Sequence, residues 1–134
     1  MIRLTHRVIF NRIPELTAQM LVNADQAVRM TTLELEVEVK ESMNEPKSGR
    51  SYRRGNNYHQ ASAPGQSPAI DYGVLANSIQ HEFPKALQGV VYTDVFYGPI
   101  LEFGSIKMAE RPFMRPGAQA VWPRFLQAMT EVIK

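Results

Sequence analysis

From Pro14 to about Met43 the chain repeats apolar positions at three- and four-residue steps: Leu16, Met20, Leu21, Ala24, Ala27, Val28, Thr31, Leu35 and Val39. That spacing predicts one long helix. Pro14 suits a first turn, where its missing N–H has no partner to lose, and Asn11 stands nearby as a candidate cap. About thirty residues at ~1.5 Å each span roughly 45 Å, so part of the helix should project from the body or pack on a neighbour. A competing pattern lies inside it: Leu33, Leu35, Val37 and Val39 alternate with Glu34, Glu36, Glu38 and Lys40, as in a half-buried strand. Glutamate and leucine favour the helix, and no glycine or proline interrupts the run between Pro14 and Pro46.

Between Asn44 and Pro68 the residues change to Pro, Gly, Ser, Asn and Gln, the mark of a loop or an extended hairpin. Residues 51–54 and 58–62 are its expected arms, joined by Gly55-Asn56-Asn57. Asp71 then caps a short helix running to Ile79, with Leu75 and Ile79 facing inward. Strands are expected over 79–83 and 88–95, turning at Pro84 and Lys85, because Val90, Val91, Tyr92 and Val95 are β-branched or aromatic. A bend at Gly98-Pro99 leads to the apolar turn Ile100, Leu101, Phe103. From Pro116, Val121, Phe125, Met129, Val132 and Ile133 outline a last amphipathic helix, which Pro123 should kink or restart. This order is not the alternation of a parallel sheet. It predicts an α+β fold: a long N-terminal helix, a small antiparallel sheet with an extended hairpin or loop, and a C-terminal amphipathic helix.

A length of 134 residues fits a single domain, 1–134. Within it, 1–43 hold an N-terminal strand (Ile2, Leu4, Val8 and Phe10 alternate with polar residues) and the long helix, 44–70 the basic hairpin or loop, and 71–134 the sheet and C-terminal helix. No apolar run is long enough for a membrane span, and the amino end does not read as a signal peptide. With no cysteine there is no disulfide frame, thiolate metal site or cysteine nucleophile, which fits synthesis in a reducing cytoplasm.

Candidate chemistry is sparse. His6, His59 and His81 fall in three different predicted elements without metal-pair spacing, and Ser62, Ser67, Ser78 and Ser105 lack a nucleophile elbow. Glu34, Glu36, Glu38 and Glu41 read as a solvated face. The expectation is therefore no enzyme, no cofactor, no metal and no small-molecule substrate. A net charge of +2 is too small to announce a nucleic-acid protein, yet Lys47, Arg50, Arg53 and Arg54 cluster with Tyr52 and Tyr58. A solvated arm, an acidic protein surface and DNA all remain open as readings of that cluster.

The second half of the chain carries a series of short motifs: Ser62-Ala63-Pro64-Gly65, then Pro68-Ala69, then Asp71, Gly73, Leu75, Ser78 and Ile79. Tyr97, Leu101-Glu102-Phe103-Gly104-Ser105, Arg111-Pro112-Phe113-Met114 and Pro116 follow. In this order and spacing the series resembles the head–tail joining (neck) family of long-tailed bacteriophages, the minor tail component or tail completion proteins, from about Pro46 onward. Departures from the family pattern stand at Tyr72, Gly98, Ser105 and Gly117. The resemblance implies a virion protein, made in the host cytoplasm, that forms a ring, commonly six-fold, as a neck, tail-completion or tail-terminator layer. Its partners would be itself, the neighbouring connector and tail proteins, and DNA passing non-specifically through the lumen. Lys47, Arg50, Tyr52, Arg53, Arg54, Tyr58, Phe103 and Phe113 are the interface candidates. Asp71, Gly73, Leu75, Glu102, Gly104, Arg111 and Pro112 are read as structural, with Glu102 and Arg111 a candidate pair across the glycine-containing loop that holds both phenylalanines to the sheet.

Overall fold

The structure, a computed structural model, describes residues 12–134. The expected N-terminal strand, His6 and the candidate cap Asn11 lie outside the described residues.

The long helix forms as one rod, α1 (Ile13–Asn44), with proline in its first turn. Helical spacing decides against the strand reading of residues 31–40. Val39 is fully buried and Leu35 packs beside it, whereas Leu33 and Val37, which alternation would place on the same face, are exposed. The rod's second half carries the core: Val39 and Met43 meet Leu75, Ile79 and Phe113, with Leu101, Val91 and Tyr97 packed around them. Removing side chains such as Val39, Ile79 and Phe113 from water contributes about 1.5–3 kcal/mol each. The first turns, by contrast, leave Leu16, Leu21 and Val22 exposed.

Strands β1 (Ser51–Arg54) and β2 (Asn57–Gln60) pair antiparallel as a hairpin of their own. The turn is tighter than expected. It contains Gly55 and Asn56 only, with Gly55 at φ +61°, a left-handed conformation natural to glycine, so Asn57 joins the strand opposite Arg54. The second arm correspondingly ends at Gln60 rather than at residue 62.

Helix α2 (Val74–Ser78) begins after Gly73, and Leu75 and Ile79 turn inward as anticipated. Asp71 does not cap it. Gly73 occupies the cap position, which leaves Asp71 too far upstream to reach the first-turn N–H groups.

Strands β3 (Gln80–Lys85) and β4 (Gln88–Tyr92) form a second two-stranded sheet. The small sheet of the expectation is thus two separate hairpins within an α+β chain. Pro84 lies in β3, not in the turn, at a register irregularity between Glu82 and Lys85 where its missing N–H disturbs the ladder least. The turn itself is Ala86-Leu87, with Leu87 at φ +61° and its N–H donated to Asp25 Oδ1 of α1 at 2.7 Å.

Helix α3 (Gly98–Phe103) leads through an irregular loop into α4 (Met114–Val132). Pro123 neither ends nor restarts α4, which runs unbroken past it at the cost of one backbone hydrogen bond. This last helix runs back along α1. A side chain at Gly117 would strike Val39, Arg124 reaches Glu34 and Glu38, and Ala128 and Val132 share a groove with Asn23 and Met30. With α4 and the β3–β4 hairpin both packed on it, α1 is the spine of the described chain.

Candidate functional site

Three of the short motifs in the second half of the chain converge in space. Residues 98–116 build a cap for α4 that reaches it from another helix. Phe113, at the N-cap position, offers no side-chain acceptor. The Glu102 carboxylate at the end of α3 takes its place: Oε2 accepts from the N–H of Phe113 at 2.8 Å and of Met114 at 2.9 Å, and Oε1 from the N–H of Arg115 at 2.9 Å. Proline at 116 has no N–H, so all three N–H groups orphaned at this helix start are thereby satisfied, and negative charge sits at the positive end of the helix dipole. Burial pushes the Glu102 carboxyl up, but the three backbone donors and the Arg115 guanidinium outweigh it and hold it below the ordinary glutamate value.

The expected pairing of Glu102 with Arg111 does not form. Arg115 is the partner: its Nε donates to Glu102 Oε1 at 3.1 Å, and its Nη2 to the Glu102 carbonyl at 2.9 Å and to Glu110 Oε2 at 2.7 Å. Arg111 points the other way. Its backbone N–H donates to the Leu101 carbonyl at 2.6 Å, and its Nη1 to the Ser62 carbonyl at 3.2 Å, at the root of the basic hairpin. Glu110 adds a second link there, its carbonyl accepting from the Gly65 N–H at 3.0 Å. Gly104 holds the loop between at φ +75°, where a Cβ would stand 2.9 Å from the Glu110 nitrogen. Pro112 is half-buried beside Pro46 and Pro116. The Ser-Ala-Pro-Gly, Leu-Glu-Phe-Gly and Arg-Pro-Phe-Met motifs therefore form one anchor, joining the hairpin to the start of α4.

The basic cluster splits into anchored and free members. Lys47 is structural: its ammonium donates to the Ser42 carbonyl at 2.6 Å and to Ser67 Oγ at 2.7 Å, and its burial lowers the amine's proton affinity. Arg54 pairs with Asp71 and lies 4.6 Å over the Tyr72 ring. On the same hairpin face, Tyr52 meets His59 edge-on at 5.2 Å, and His59 Nδ1 stands 3.9 Å from Asp71. A hollow of about 290 Å³ lies between this face and the body, walled by Tyr52, His59, Asp71, Tyr97 and Arg111. On the opposite face Arg53 and Tyr58 stand directly across from one another, with Tyr58 80% exposed. Arg50 makes no ion pair, and Arg53 donates only to the Gly55 carbonyl at 2.9 Å.

The two phenylalanine candidates part company. Phe113 is 1% exposed, a core residue that cannot offer its ring to a partner. Phe103 is 69% exposed, with the Arg115 guanidinium 5.4 Å over its ring. The glutamates of α1 are not simply solvated either. Glu36 bonds Lys40 and His81, which hold its carboxyl below the ordinary value, and Arg124 of α4 bridges Glu34 and Glu38 at 3.8 and 3.5 Å.

Sequence reasoning missed Arg115, although one signal was present. A cation in the first turn of a helix opposes the dipole, so it calls for a carboxylate from elsewhere. Among the described residues no three histidine or carboxylate side chains are grouped to hold a metal ion, and no helix is long and apolar enough to cross a membrane. Comparison with protein-family models, with curated proteins and with solved structures gives no match.

Proposed function

We propose that this chain is a structural subunit of a phage head–tail junction, a neck, tail-completion or tail-terminator layer, that assembles as a ring, commonly six-fold, between connector and tail tube. The observation that carries this reading is the motif series running from Ser62 to Pro116. Three of its motifs, residues 62–65, 101–104 and 111–114, meet in one anchor that fixes an exposed arm to a helical body. A part that joins layers needs that construction: a rigid frame, with side chains held out where neighbours reach them. Exposed apolar residues on the first turns of α1 and on α4, including Leu21, Val22, Trp122 and Leu126, add surface suited to burial against other subunits. The nucleic-acid reading of the hairpin is weaker, because Lys47 and Arg54 are engaged within the chain and Arg50 and Arg53 alone offer little phosphate binding.

Sedimentation of the purified protein over a wide concentration range, alone and with isolated tail tubes or connectors, tests the proposal. Ring-sized species, or stoichiometric capture on one of those structures, are the expected results. A chain that stays monomeric throughout and binds neither refutes it.

A further inference from the structure

Charge is segregated along this chain in a way its own fold leaves unresolved. Between Pro46 and Ile70 there are four basic residues and no Asp or Glu. Immediately before that segment, Glu34, Glu38 and Glu41 follow one another at intervals of four and three, so they line one face towards the end of α1. Within the chain, Arg124 is the cation that meets this row, and it reaches the two glutamates farther from the hairpin. Glu41 makes no ion pair among the described residues. The end of the helix is met by Lys47, whose ammonium donates to the Ser42 carbonyl, so Glu41 is the carboxylate of the row left without a cation. The end of the row at Glu41 is therefore a place where outside positive charge is favoured.

The hairpin is the converse. Strands β1 and β2 pair with each other alone, and every residue of the two except His59 is exposed. An isolated two-stranded hairpin is marginal in water and gains order when another surface covers it. Its inner face is tied to the body through Arg54 and Asp71, which leaves the outer pair, Arg53 and Tyr58, facing away. Arginine and tyrosine are the residue types that dominate binding energy at interfaces. A ring requires two different, mutually complementary patches on each subunit, since its contacts run head to tail.

We propose that the outer face of the hairpin, Arg53 and Tyr58, docks on the row of Glu34, Glu38 and Glu41 of the adjacent copy of this chain. The inference rests on the ring reading above and names the contact that closes it. Salt weakens such a contact, because its charges lie at the surface before they meet.

Charge exchange tests it. R53E and E41R alter exposed side chains outside the core, so each variant should melt within a few degrees of wild type. Sedimentation of each variant alone should show association weakened at least about tenfold, consistent with loss of a docked charge pair. Mixing the two variants in equal amounts should restore assembly, because each supplies the patch the other now lacks. The double variant R53E/E41R should assemble unaided. Wild-type assembly by either single-patch variant overturns this contact while leaving the ring reading intact, whether or not the hairpin variant has lost affinity for DNA. Failure of the mixture to recover overturns it as well. Wild-type protein that is monomeric in every condition removes the ring reading, and this contact with it.

Discussion

Replacing Glu102 with glutamine probes the cap that α4 receives from α3. The carboxylate accepts three backbone N–H bonds and one guanidinium bond at 2.8–3.1 Å while only 5% exposed. One N-cap bond is worth about 1 kcal/mol, and bonds to a charged acceptor about 1.5–3 kcal/mol. Glutamine keeps one carbonyl oxygen for two of the donors but sets an NH2 group against the others, leaving buried N–H groups unmet. The expected loss is about 2–4 kcal/mol, which for a chain of this size lowers Tm by roughly 10 °C. Acid supplies a second axis. The folded carboxyl titrates below its ordinary value of 4.5. Its stabilisation is therefore complete above that value and is lost as pH falls through the folded pKa. Urea unfolding of wild type and E102Q at a series of pH values should show a gap that is widest near neutrality and closes in acid. A variant within about 0.5 kcal/mol of wild type at pH 7, or a gap unchanged in acid, would refute the capping role.

Three further outcomes follow from local geometry. Gly117→Ala would place a Cβ 2.7 Å from Val39 Cγ2 where α4 crosses α1; overpacking should exceed the gain in helix propensity and cost about 1–2 kcal/mol in a urea melt. Leu87→Gly relieves a left-handed leucine at a half-exposed turn and keeps the N–H bond to Asp25, so thermal unfolding should show a gain of up to about 1 kcal/mol. Asp71→Asn weakens the tie to Arg54; hydrogen exchange should speed up at the amides of β1 and β2 while global stability moves by less than about 1 kcal/mol.

Local patterns exposed most of the fold, because the interactions behind them are local. The three- and four-residue spacing of α1 marks its inward face at Leu35 and Val39 directly, and glycine placement marks the first hairpin to within a residue of its turn. Partner choice is another matter. Glu102 was legible as important, but which arginine it meets depends on how the loop after Gly104 folds back, and that loop brings Arg115 to it while sending Arg111 to Ser62. Asp71 illustrates the same limit: its side chain suits a cap, and the helix start simply falls two residues later, at Gly73. Phe103 and Phe113 look alike in sequence, yet one closes the core and the other faces outward because they sit on opposite sides of that loop.

The 32 residues of α1 make a rod of roughly 48 Å that begins beyond the packed core and ends at the root of the hairpin, where Lys47 is clamped to the Ser42 carbonyl. Such a rod behaves as a lever. Each degree of tilt about its midpoint carries its two ends roughly 0.4 Å in opposite directions. Whatever grips the first turns therefore also steers the arm at the far end, so two contacts that never touch are mechanically geared to one another.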